Sequence, residues 1–104
     1  MSKAKKSFDE KIWGLLAKIP RGKVTTYKLL AKAAGNANAA RAVGNACNKN
    51  PDSPKVPCHR VVCSDGSIGG YAHGTRAKIA LLAKEGVVVR RGKVQDFNRC
   101  LYKF

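Results

Sequence analysis

The chain has 104 residues, enough for one domain with a modest core and too few for a second domain of ordinary size. It carries 21 Lys and Arg against 6 Asp and Glu, and this formal charge of +15 points to a polyanionic partner, with nucleic acid first. No apolar run approaches the ~20 residues that cross a bilayer, and the basic residues are scattered from Lys3 to Lys103, which disfavours a membrane-surface helix.

Cysteine usage and the first residues bear on the compartment. The four cysteines, at positions 47, 58, 63 and 100, form no C-x-x-C pair, so neither a zinc site nor a disulfide framework is indicated. Residues 1–11 are basic and polar, and no apolar run follows them as in a secretory signal. We therefore expect reduced thiols and an intracellular location, in the cytoplasm or in the nucleus or nucleoid.

The first predicted element is an amphipathic helix. Ser7 and Glu10 have the spacing of a capping box, in which each side chain accepts a hydrogen bond from the other residue's backbone. Apolar residues recur at helical spacing from Phe8 until Pro20, which cannot continue a helix. The pattern predicts a helix over residues 8–19.

Two further short helices are predicted to follow. Thr25 or Thr26 can cap a helix that runs to Ala33 and ends at Gly35. A third helix is expected over residues 39–48. Its predicted inner side consists of Ala39, Ala40, Val43, Ala46 and Cys47. The two helices together predict a helix-turn-helix, whose second member is the candidate recognition helix.

The outer face of the third helix is predicted to suit close approach to a nucleic-acid groove. Arg41, Gly44, Asn45 and Asn48 recur at i, i+3, i+4 and i+7, so one long cation projects from small or polar groups. The alternative is that this is an ordinary helix pair of a small protein and that Arg41 is merely solvated.

The segment Pro57-Cys58-His59-Arg60 joins a thiol, an imidazole and a guanidinium. A thiol is strongly nucleophilic only as the thiolate, so a site that uses one needs a nearby base or cation. Neighbours on an extended strand point to opposite faces, so contact between Cys58 and His59 needs a turn or a bridging water. A cysteine nucleophile is the leading hypothesis for this segment.

The rest of the chain is predicted to hold small β elements and one more helix. Residues 61–63 and 68–71 suggest a hairpin around a turn at 64–67, and a helix is expected over 75–85, with Ile79, Leu82 and Ala83 packed inward. Residues 87–89 and 93–95 suggest a last hairpin. The predicted fold is mainly α with small β elements, a single helical domain with a helix-turn-helix and a short hairpin beside the cysteine.

These motifs, taken together and in order, resemble one family. They are Thr26-Tyr27, Ala39-Ala40-Arg41-Ala42-Val43-Gly44, Asn50-Pro51, Pro57-Cys58-His59-Arg60-Val61-Val62, Tyr71, and Leu81-Leu82-Ala83-Lys84-Glu85-Gly86. The family is the methylated-DNA–protein-cysteine methyltransferases, also called O6-alkylguanine-DNA alkyltransferases. The resemblance covers roughly residues 8–92, and the combination is specific where each piece alone is not.

The resemblance implies a stoichiometric repair reaction without a cofactor. Cys58 would attack the alkyl carbon on guanine O6 and keep the group in a single irreversible turnover. His59 would remove the thiol proton through a water, and Glu85 would hold the imidazole and favour its charged form. Asn50 would brace the loop that carries the thiol.

The resemblance also implies that a nucleotide is flipped out of double-stranded DNA. Arg41 would fill the vacated stack, and a planar guanidinium suits that wedge better than Lys does. The remaining binding residues would be Tyr27 at the phosphate and flipped base, Ala40 and Gly44 at the closely approached backbone, and Val61, Tyr71 and Ala72 around the guanine. O4-alkylthymine is an alternative lesion, no membrane is involved, and a monomer is expected.

The chain departs from the family pattern in three places. The single domain, residues 1–104, is expected to lack the separate N-terminal domain of many members. Ala72 and His73 stand where many relatives have serine and glycine, which predicts poorer reaction with bulky O6 adducts than with O6-methyl. Cys47 stands where a larger apolar residue is common.

Several other functions stay open at this point. The nearest is a non-enzymatic protein that binds alkyl lesions, like the short alkyltransferase-like relatives, which carry tryptophan at the position of Cys58. A Cys-His acyl hydrolase and a plain DNA-binding regulator are more distant. Each of three candidate site residues also has a purely structural interpretation. Tyr27 can be a core aromatic residue, Glu85 a solvated residue near a helix end, and Asn50 a turn former.

Overall fold

The computed structural model describes residues 7–50, 55–71 and 73–104. Within these ranges the helices are α1 (Phe8–Leu16), α2 (Tyr27–Ala33), α3 (Ala40–Asn48), α4 (Thr75–Lys84) and α5 (Phe97–Cys100), and a 3-10 turn spans Cys58–Arg60. The strands are β1 (Thr25–Thr26), β2 (Val61–Val62), β3 (Val89–Arg90) and β4 (Lys93–Val94). The prediction of a mainly helical domain with small β elements is confirmed.

Helix α1 begins where the capping box predicts and ends earlier than predicted. Ser7 Oγ accepts from the backbone N–H of Glu10 at 3.1 Å, and Glu10 Oε1 accepts from the backbone N–H of Ser7 at 3.0 Å. The predicted end at Ile19 is wrong, because the residues after Leu16 form tight turns that include an Ile19 N–H to Leu16 carbonyl bond of 3.1 Å. The residue before Pro20 is sterically kept out of the helical region, which explains the early end.

The helix-turn-helix of α2 and α3 packs against α1. Thr26 caps α2 by accepting from the N–H of Leu29 at 3.0 Å, and α3 begins one residue later than predicted, at Ala40. Trp13 of α1 donates from Nε1 to the carbonyl of Ala46 at 2.9 Å. The buried residues of α3 are Val43, Ala46 and Cys47, and Ala39 and Ala40 are only half-buried. The outer face of α3 is therefore left to solvent.

The strand after the cysteine pairs differently from the prediction. β2 lies parallel to β1, with Thr25 opposite Val61 and Thr26 opposite Val62. The turn at 63–67 does form, since Cys63 N–H donates to the carbonyl of Ser67 at 2.9 Å. The predicted return strand, 68–71, does not form a hairpin with β2, because Gly69 and Gly70 lack the side chains that stabilise a strand. The pairing of β1 with β2 joins the segment that follows Cys58 to the start of the helix-turn-helix.

The C-terminal part contains the predicted helix and last hairpin. α4 ends at Lys84, one residue before the predicted end, and Leu82 is buried, Ile79 half-buried and Ala83 exposed. β3 and β4 pair antiparallel around Arg91 and Gly92, whose φ angles of 54° and 76° suit a tight hairpin turn. No helix in the described ranges has both the length and the apolar character needed to span a bilayer.

Candidate active site

Cys58 begins the 3-10 turn Cys58–Arg60, which carries the chain from Pro57 into β2. Its side chain is buried, with 4% of the residue exposed. The turn is closed by a hydrogen bond of 3.0 Å from the N–H of Arg60 to the carbonyl of Pro57. This is the turn that the sequence required for a thiol and an imidazole to share one site, because an extended strand would have turned them apart.

Asn50 lies on the approach to this turn. Its Nδ2 donates to the carbonyl of Val56 at 2.7 Å, two residues before Cys58. The predicted rigid loop between them, residues 51–54, lies outside the described residues. The Asn50 amide therefore ties the end of α3 to the backbone that leads into the 3-10 turn.

His59 and Arg60 converge on one carboxylate, that of Glu85. His59 Nε2 lies 3.0 Å from Glu85 Oε2, and Arg60 donates from Nε to Oε1 at 2.9 Å and from Nη2 to Oε2 at 2.7 Å. Arg60 Nη1 also donates to the carbonyl of Ile19 at 2.7 Å. Glu85 is the residue after α4, so the carboxylate joins the 3-10 turn to the end of that helix.

The charge on Glu85 is balanced by Arg60 rather than by His59. Burial alone would raise the pKa of Glu85, but the hydrogen bonds from Arg60 and His59 outweigh it and lower that pKa. Burial lowers the pKa of His59, and the Glu85 hydrogen bond and charge only partly offset this. The carboxylate favours the imidazolium form, as expected, but burial and the charges of Arg60 and Lys78 outweigh it, so the pKa of His59 is lowered on balance and the neutral imidazole predominates at neutral pH.

The hydrogen-bond roles of the neutral imidazole follow from its partner. An ionised carboxylate only accepts, so His59 Nε2 carries the proton and donates to Glu85. The other ring nitrogen, Nδ1, is buried and has no hydrogen-bond partner among the described residues. Nδ1 is therefore the acceptor nitrogen of the ring, which is the property that a general base requires.

A pocket of about 300 Å³ opens beside Cys58. It lies between α3 and the glycine-containing loop before α4. Its lining residues are Tyr27, Gly44, Cys47, Asn48, Cys58, Gly70 and Tyr71. The pocket thus brings the Cys58 thiol together with two tyrosines and with Gly44 and Asn48 of α3.

The aromatic residues of the pocket are held by polar and ring contacts. The Tyr27 hydroxyl lies 3.5 Å from the carbonyl of Gly70, and burial raises the pKa of Tyr27. The Tyr71 ring meets the rings of His59 and His73 edge-on, at centroid distances of 6.5 and 5.3 Å. Tyr71 therefore lines the pocket while its ring contacts the His59 imidazole.

Several of the residues predicted to contact DNA lie on α3, which borders the pocket through Gly44 and Asn48. Arg41 and Asn45 are exposed on α3, and Ala40 and Gly44 are half-buried on the same helix. The structure brings together Cys58, Tyr27, Gly44 and Tyr71 as pocket lining. Val61 follows the cysteine turn, is fully buried and does not line the pocket, and its backbone carbonyl accepts from Lys78 Nζ at 2.6 Å. Ala72 lies outside the described residues.

Sequence reasoning missed three residues of this site. Arg60 was treated only as a cation near the thiol, and Lys78 was not considered. Cys47 was correctly taken as a buried small hydrophobe, but its place in the pocket lining was not foreseen. Lys78 is fully buried, and its Nζ donates to the carbonyls of Val61 at 2.6 Å and Gly70 at 3.0 Å. A lysine on the apolar side of a predicted helix, beside Ile79 and Leu82, was the signal available in the sequence. No cluster of three or more metal-ligating side chains occurs in the described part of the chain.

Comparisons with known proteins place the chain in a family. Residues 7–87 match the family model described as "6-O-methylguanine DNA methyltransferase, DNA binding domain". A methylated-DNA--protein-cysteine methyltransferase of Homo sapiens is 51% identical over 75 residues, which are 72% of this chain and 36% of that protein. A bifunctional methyltransferase/endonuclease of Picrophilus torridus is 43% identical over 93 residues, 89% of this chain and 30% of that protein.

Solved structures give the same result. The chain resembles Mycobacterium tuberculosis OGT in complex with DNA with a TM-score of 0.76 and 40% identity, over 80% of this chain and 51% of that one. It resembles S. pombe Atl1, in complex with damaged DNA containing O6-carboxymethylguanine, with a TM-score of 0.81 and 29% identity, over 98% and 100%.

The chain spans about a third of the length of the human and Picrophilus torridus relatives, so the likeness to them is that of a domain. The family model covers residues 7–87, which include the helix-turn-helix, the cysteine turn and Glu85. The resemblance seen in the sequence motifs is thereby confirmed. The chain belongs to the 6-O-methylguanine DNA methyltransferase family and contains the DNA-binding domain by which that family is recognised.

Proposed function

We propose that the protein repairs double-stranded DNA by moving the alkyl group of O6-alkylguanine onto Cys58, once per molecule. One observation carries this proposal. Cys58 is buried and lines the pocket, and the next residue, His59, donates from Nε2 to Glu85. Family membership supports the reaction class, and the +15 charge supports a polyanionic substrate.

The chemical step uses His59 as base and Cys58 as nucleophile. The thiol proton passes through a water to Nδ1 of His59. The proton on Nε2 of His59 remains hydrogen-bonded to Glu85. The thiolate attacks the alkyl carbon, the S–C bond forms as the C–O6 bond breaks, and the electron pair remains on guanine, which takes up a proton. The product thioether is stable, so the protein is consumed. No cofactor takes part.

Access to the pocket requires a flipped nucleotide. A guanine O6 inside a duplex cannot meet a thiol that is 4% exposed, so the base must leave the stack. Exposed Arg41 on α3 would fill the gap, with Ala40 and Gly44 permitting close approach of the helix. Tyr27 and Tyr71 would enclose the base, and the backbone at Val61 would contact its edge. O4-alkylthymine would be an alternative substrate.

The first test is an intact-mass measurement. The protein is incubated with duplex DNA containing one O6-methylguanine, and any added mass is mapped to a residue. We expect the mass of one methyl group on Cys58, with a plateau at one per protein. Cys58→Ala should bind the DNA without gaining mass. Cys100→Ala, the loss of a thiol outside the pocket, is the matched control and should react as the unaltered protein does.

The alternative function is recognition of the lesion without repair. It is favoured by the likeness to S. pombe Atl1, which extends over 98% of this chain. The same mass measurement separates the two functions, because a lesion-binding protein would hold the DNA tightly and gain no mass. A methyl group found on a residue other than Cys58 would contradict both.

A further inference from the structure

A surface groove lined by α1, α2 and residues 102–104 has no role in the proposed reaction. It consists of two adjoining cavities of about 620 and 450 Å³, and both are lined by Leu15, Lys18 and Ala33. None of the residues that line these cavities lines the pocket of Cys58. This surface, the α1–α2 groove, is therefore a second concave site on the protein.

The groove has an apolar lining that the fold leaves accessible. Leu15 and Leu29 are half-buried, Ala33 is exposed, and Phe104 has 42% of its surface exposed. The Phe104 ring meets the ring of Tyr102 edge-on, at a centroid distance of 5.1 Å. Apolar side chains that are grouped on a surface mark contact sites for other proteins, whereas single exposed ones do not.

Lysines accompany the apolar lining. The four that line the groove are exposed, and they are Lys11, Lys18, Lys32 and Lys103. In the part of the chain that the structure describes, none of the four forms an ion pair. Glu10 also lines the groove, but its carboxylate accepts from the Ser7 N–H in the capping box. The positive charge of the groove is therefore left to be matched by an acidic partner.

The lysines and the apolar residues share one face of each helix. Lys11 and Leu15 stand at i and i+4 on α1, and Leu29, Lys32 and Ala33 stand at i, i+3 and i+4 on α2. A partner that lies along these helices would thus meet apolar and cationic groups within one turn of each other. This arrangement complements a helix that has an apolar stripe flanked by carboxylates.

An extended partner is disfavoured by the hydrogen bonds of the groove. The backbones of α1 and α2 are bonded within their helices. The Tyr102 N–H donates to the carbonyl of Val24 at 2.7 Å, and the Tyr102 carbonyl accepts from the Thr25 hydroxyl at 3.0 Å. Strand addition needs free backbone groups, so Tyr102 offers no edge for it.

DNA and a second copy of the chain fit the groove less well than an acidic protein does. Phosphates contact cations and hydrogen-bond donors, and leucine and phenylalanine side chains offer them neither. A second copy would bring the same charge of +15 to a surface that is already cationic.

We propose that the α1–α2 groove binds an amphipathic helix of an acidic protein partner. Apolar side chains of that helix pack against Leu15, Leu29 and Phe104, and its carboxylates pair with the lysines. The proposal does not depend on alkyl transfer, because the groove and the pocket of Cys58 share no lining residue.

The test uses a fluorescein-labelled peptide of about 18 residues, with Leu at i, i+3, i+4 and i+7 and Glu at most other positions. One matched peptide has Lys in place of each Glu, and another has Ala in place of each Leu. Fluorescence anisotropy measures binding to the unaltered protein. We expect a dissociation constant of about 10 µM for the acidic leucine peptide and at least about tenfold weaker binding of the other two. Equal binding of all three would overturn the proposal, as would no binding of the first.

Variants of exposed groove residues locate the binding site. Lys18→Glu/Lys32→Glu and Phe104→Ala should each weaken binding of the acidic peptide at least about tenfold. Lys84→Glu/Arg90→Glu makes the same change in net charge at exposed positions outside the groove and is the matched control. It should bind the peptide nearly as the unaltered protein does. Equal weakening by the two double variants would overturn the proposal, since it would show attraction to net charge alone.

NMR of the unaltered protein gives a readout that needs no variant. The acidic peptide should shift the methyl signals of Leu15 and Leu29 and leave the ring signals of Tyr27, in the pocket of Cys58, unchanged. Shifts confined to Tyr27 and its neighbours would overturn the proposal.

The competing occupants are tested with the same variants. Loss of binding to lesion-free duplex DNA in Lys18→Glu/Lys32→Glu, as large as the loss of peptide binding and absent from the control, would assign the groove to DNA. Binding to phosphatidylglycerol vesicles that only the groove variants abolish would assign it to a membrane. Self-association in sedimentation that Phe104→Ala abolishes would assign it to a second copy. Each of these results would overturn the proposal.

Discussion

Arg60 and Glu85 form a bidentate ion pair, with Arg60 Nε 2.9 Å from Oε1 and Nη2 2.7 Å from Oε2 of the carboxylate. The same carboxylate accepts from Nε2 of His59, so it orients the imidazole while its charge is neutralised by the guanidinium. A neutral imidazole can accept the thiol proton through a water, whereas an imidazolium would first have to lose a proton. The ion pair therefore keeps the base in its working form.

Removal of Arg60 should charge His59. In Arg60→Met the positive charge that lowers the pKa of His59 is lost while Glu85 remains, so that pKa should rise. A smaller fraction of the imidazole is then neutral at neutral pH, and Cys58 alkylation should slow there and recover as the pH rises. NMR titration of the His59 ring and the alkylation profile measure the two effects.

The control for this variant is Arg60→Lys, which keeps the charge and loses the planar fork. In Arg60→Lys, the pKa of His59 should stay close to its low value in the unaltered protein. The buried carboxylate in Arg60→Met loses its main partner, so urea unfolding should show a loss of about 3–5 kcal/mol. An unchanged His59 titration in folded Arg60→Met would contradict the assignment of Arg60.

Arg41 should matter for duplex DNA more than for a free base. Its side chain is exposed on α3, outside the pocket that holds the thiol. Arg41→Ala should slow repair of duplex DNA at least about tenfold, because extrusion of a stacked base costs a few kcal/mol that an inserted side chain helps to offset. Reaction with free O6-alkylguanine base should change little.

Arg90→Ala removes the same charge from exposed β3 and is the control for Arg41. Both variants should weaken non-specific DNA binding slightly and reduce its dependence on salt, because each loses one cation that can replace counterions. Only Arg41→Ala should slow the reaction with duplex DNA more than the reaction with free O6-alkylguanine base. Equal losses on duplex and free base would rule out a wedge role.

Asn50 is expected to stabilise the approach to the cysteine turn. Asn50→Asp keeps the shape of the side chain but replaces the Nδ2 donor, which bonds the Val56 carbonyl at 2.7 Å, with an acceptor. A loss of about 1–3 kcal/mol in unfolding free energy is expected, together with slower methyl transfer. Asn98→Asp, at an exposed position of α5, should do neither. Full activity of Asn50→Asp would show that the hydrogen bond does not position the thiol.

Elements that depend on local chemistry were predictable from the sequence. The Ser7 and Glu10 side chains fix the start of α1, and Thr26 fixes that of α2, because each cap needs only residues within one turn. The helix ends were less accurate by up to three residues, since they depend on how the chain turns before Pro20 and after Ala83. The helix-turn-helix followed from the same local patterns.

Contacts between distant segments could not be derived from spacing. β2 pairs in parallel with β1, and the paired residues Thr25 and Val61 are far apart in the chain. No local turn in the sequence signals a parallel pair of this kind. The meeting of Glu85 with the cysteine turn was reached only through family resemblance. The burial of Lys78 was missed because lysine side chains are ordinarily exposed, even on a helix that packs against the core.

Cys47 should make the fold sensitive to alkali. Burial raises the pKa of its thiol from 9.0 to about 12. Its neutral form is thus favoured in the folded protein, and the stability present below pH 9.0 is lost as the pH rises toward 12. A shift of this size corresponds to about 4 kcal/mol as an upper figure. Tyr27 acts in the same direction and Lys78 in the opposite one.

The contribution of Cys47 is therefore measured as a difference. Urea unfolding of the unaltered protein and of Cys47→Ala is followed from neutral to alkaline pH. The variant should be less stable at neutral pH, because it leaves a small cavity, and should lose less stability as the pH rises. Cys100→Ala should keep the slope of the unaltered protein. Parallel curves for Cys47→Ala and the unaltered protein would contradict a buried, neutral Cys47.

The pocket should discriminate against large alkyl groups. Its volume of about 300 Å³ is at the lower end of ligand pockets, and the His73 ring lies 5.3 Å from the ring of Tyr71, which lines the pocket. We expect O6-benzylguanine in DNA to react more slowly than O6-methylguanine. His73→Gly should raise the benzyl rate more than the methyl rate, because it removes a ring that packs against Tyr71 of the pocket lining and leaves the thiol unchanged. The methyl substrate is the internal control for stability and DNA binding, and comparable benzyl and methyl rates in the unaltered protein would show that the mouth does not select by size.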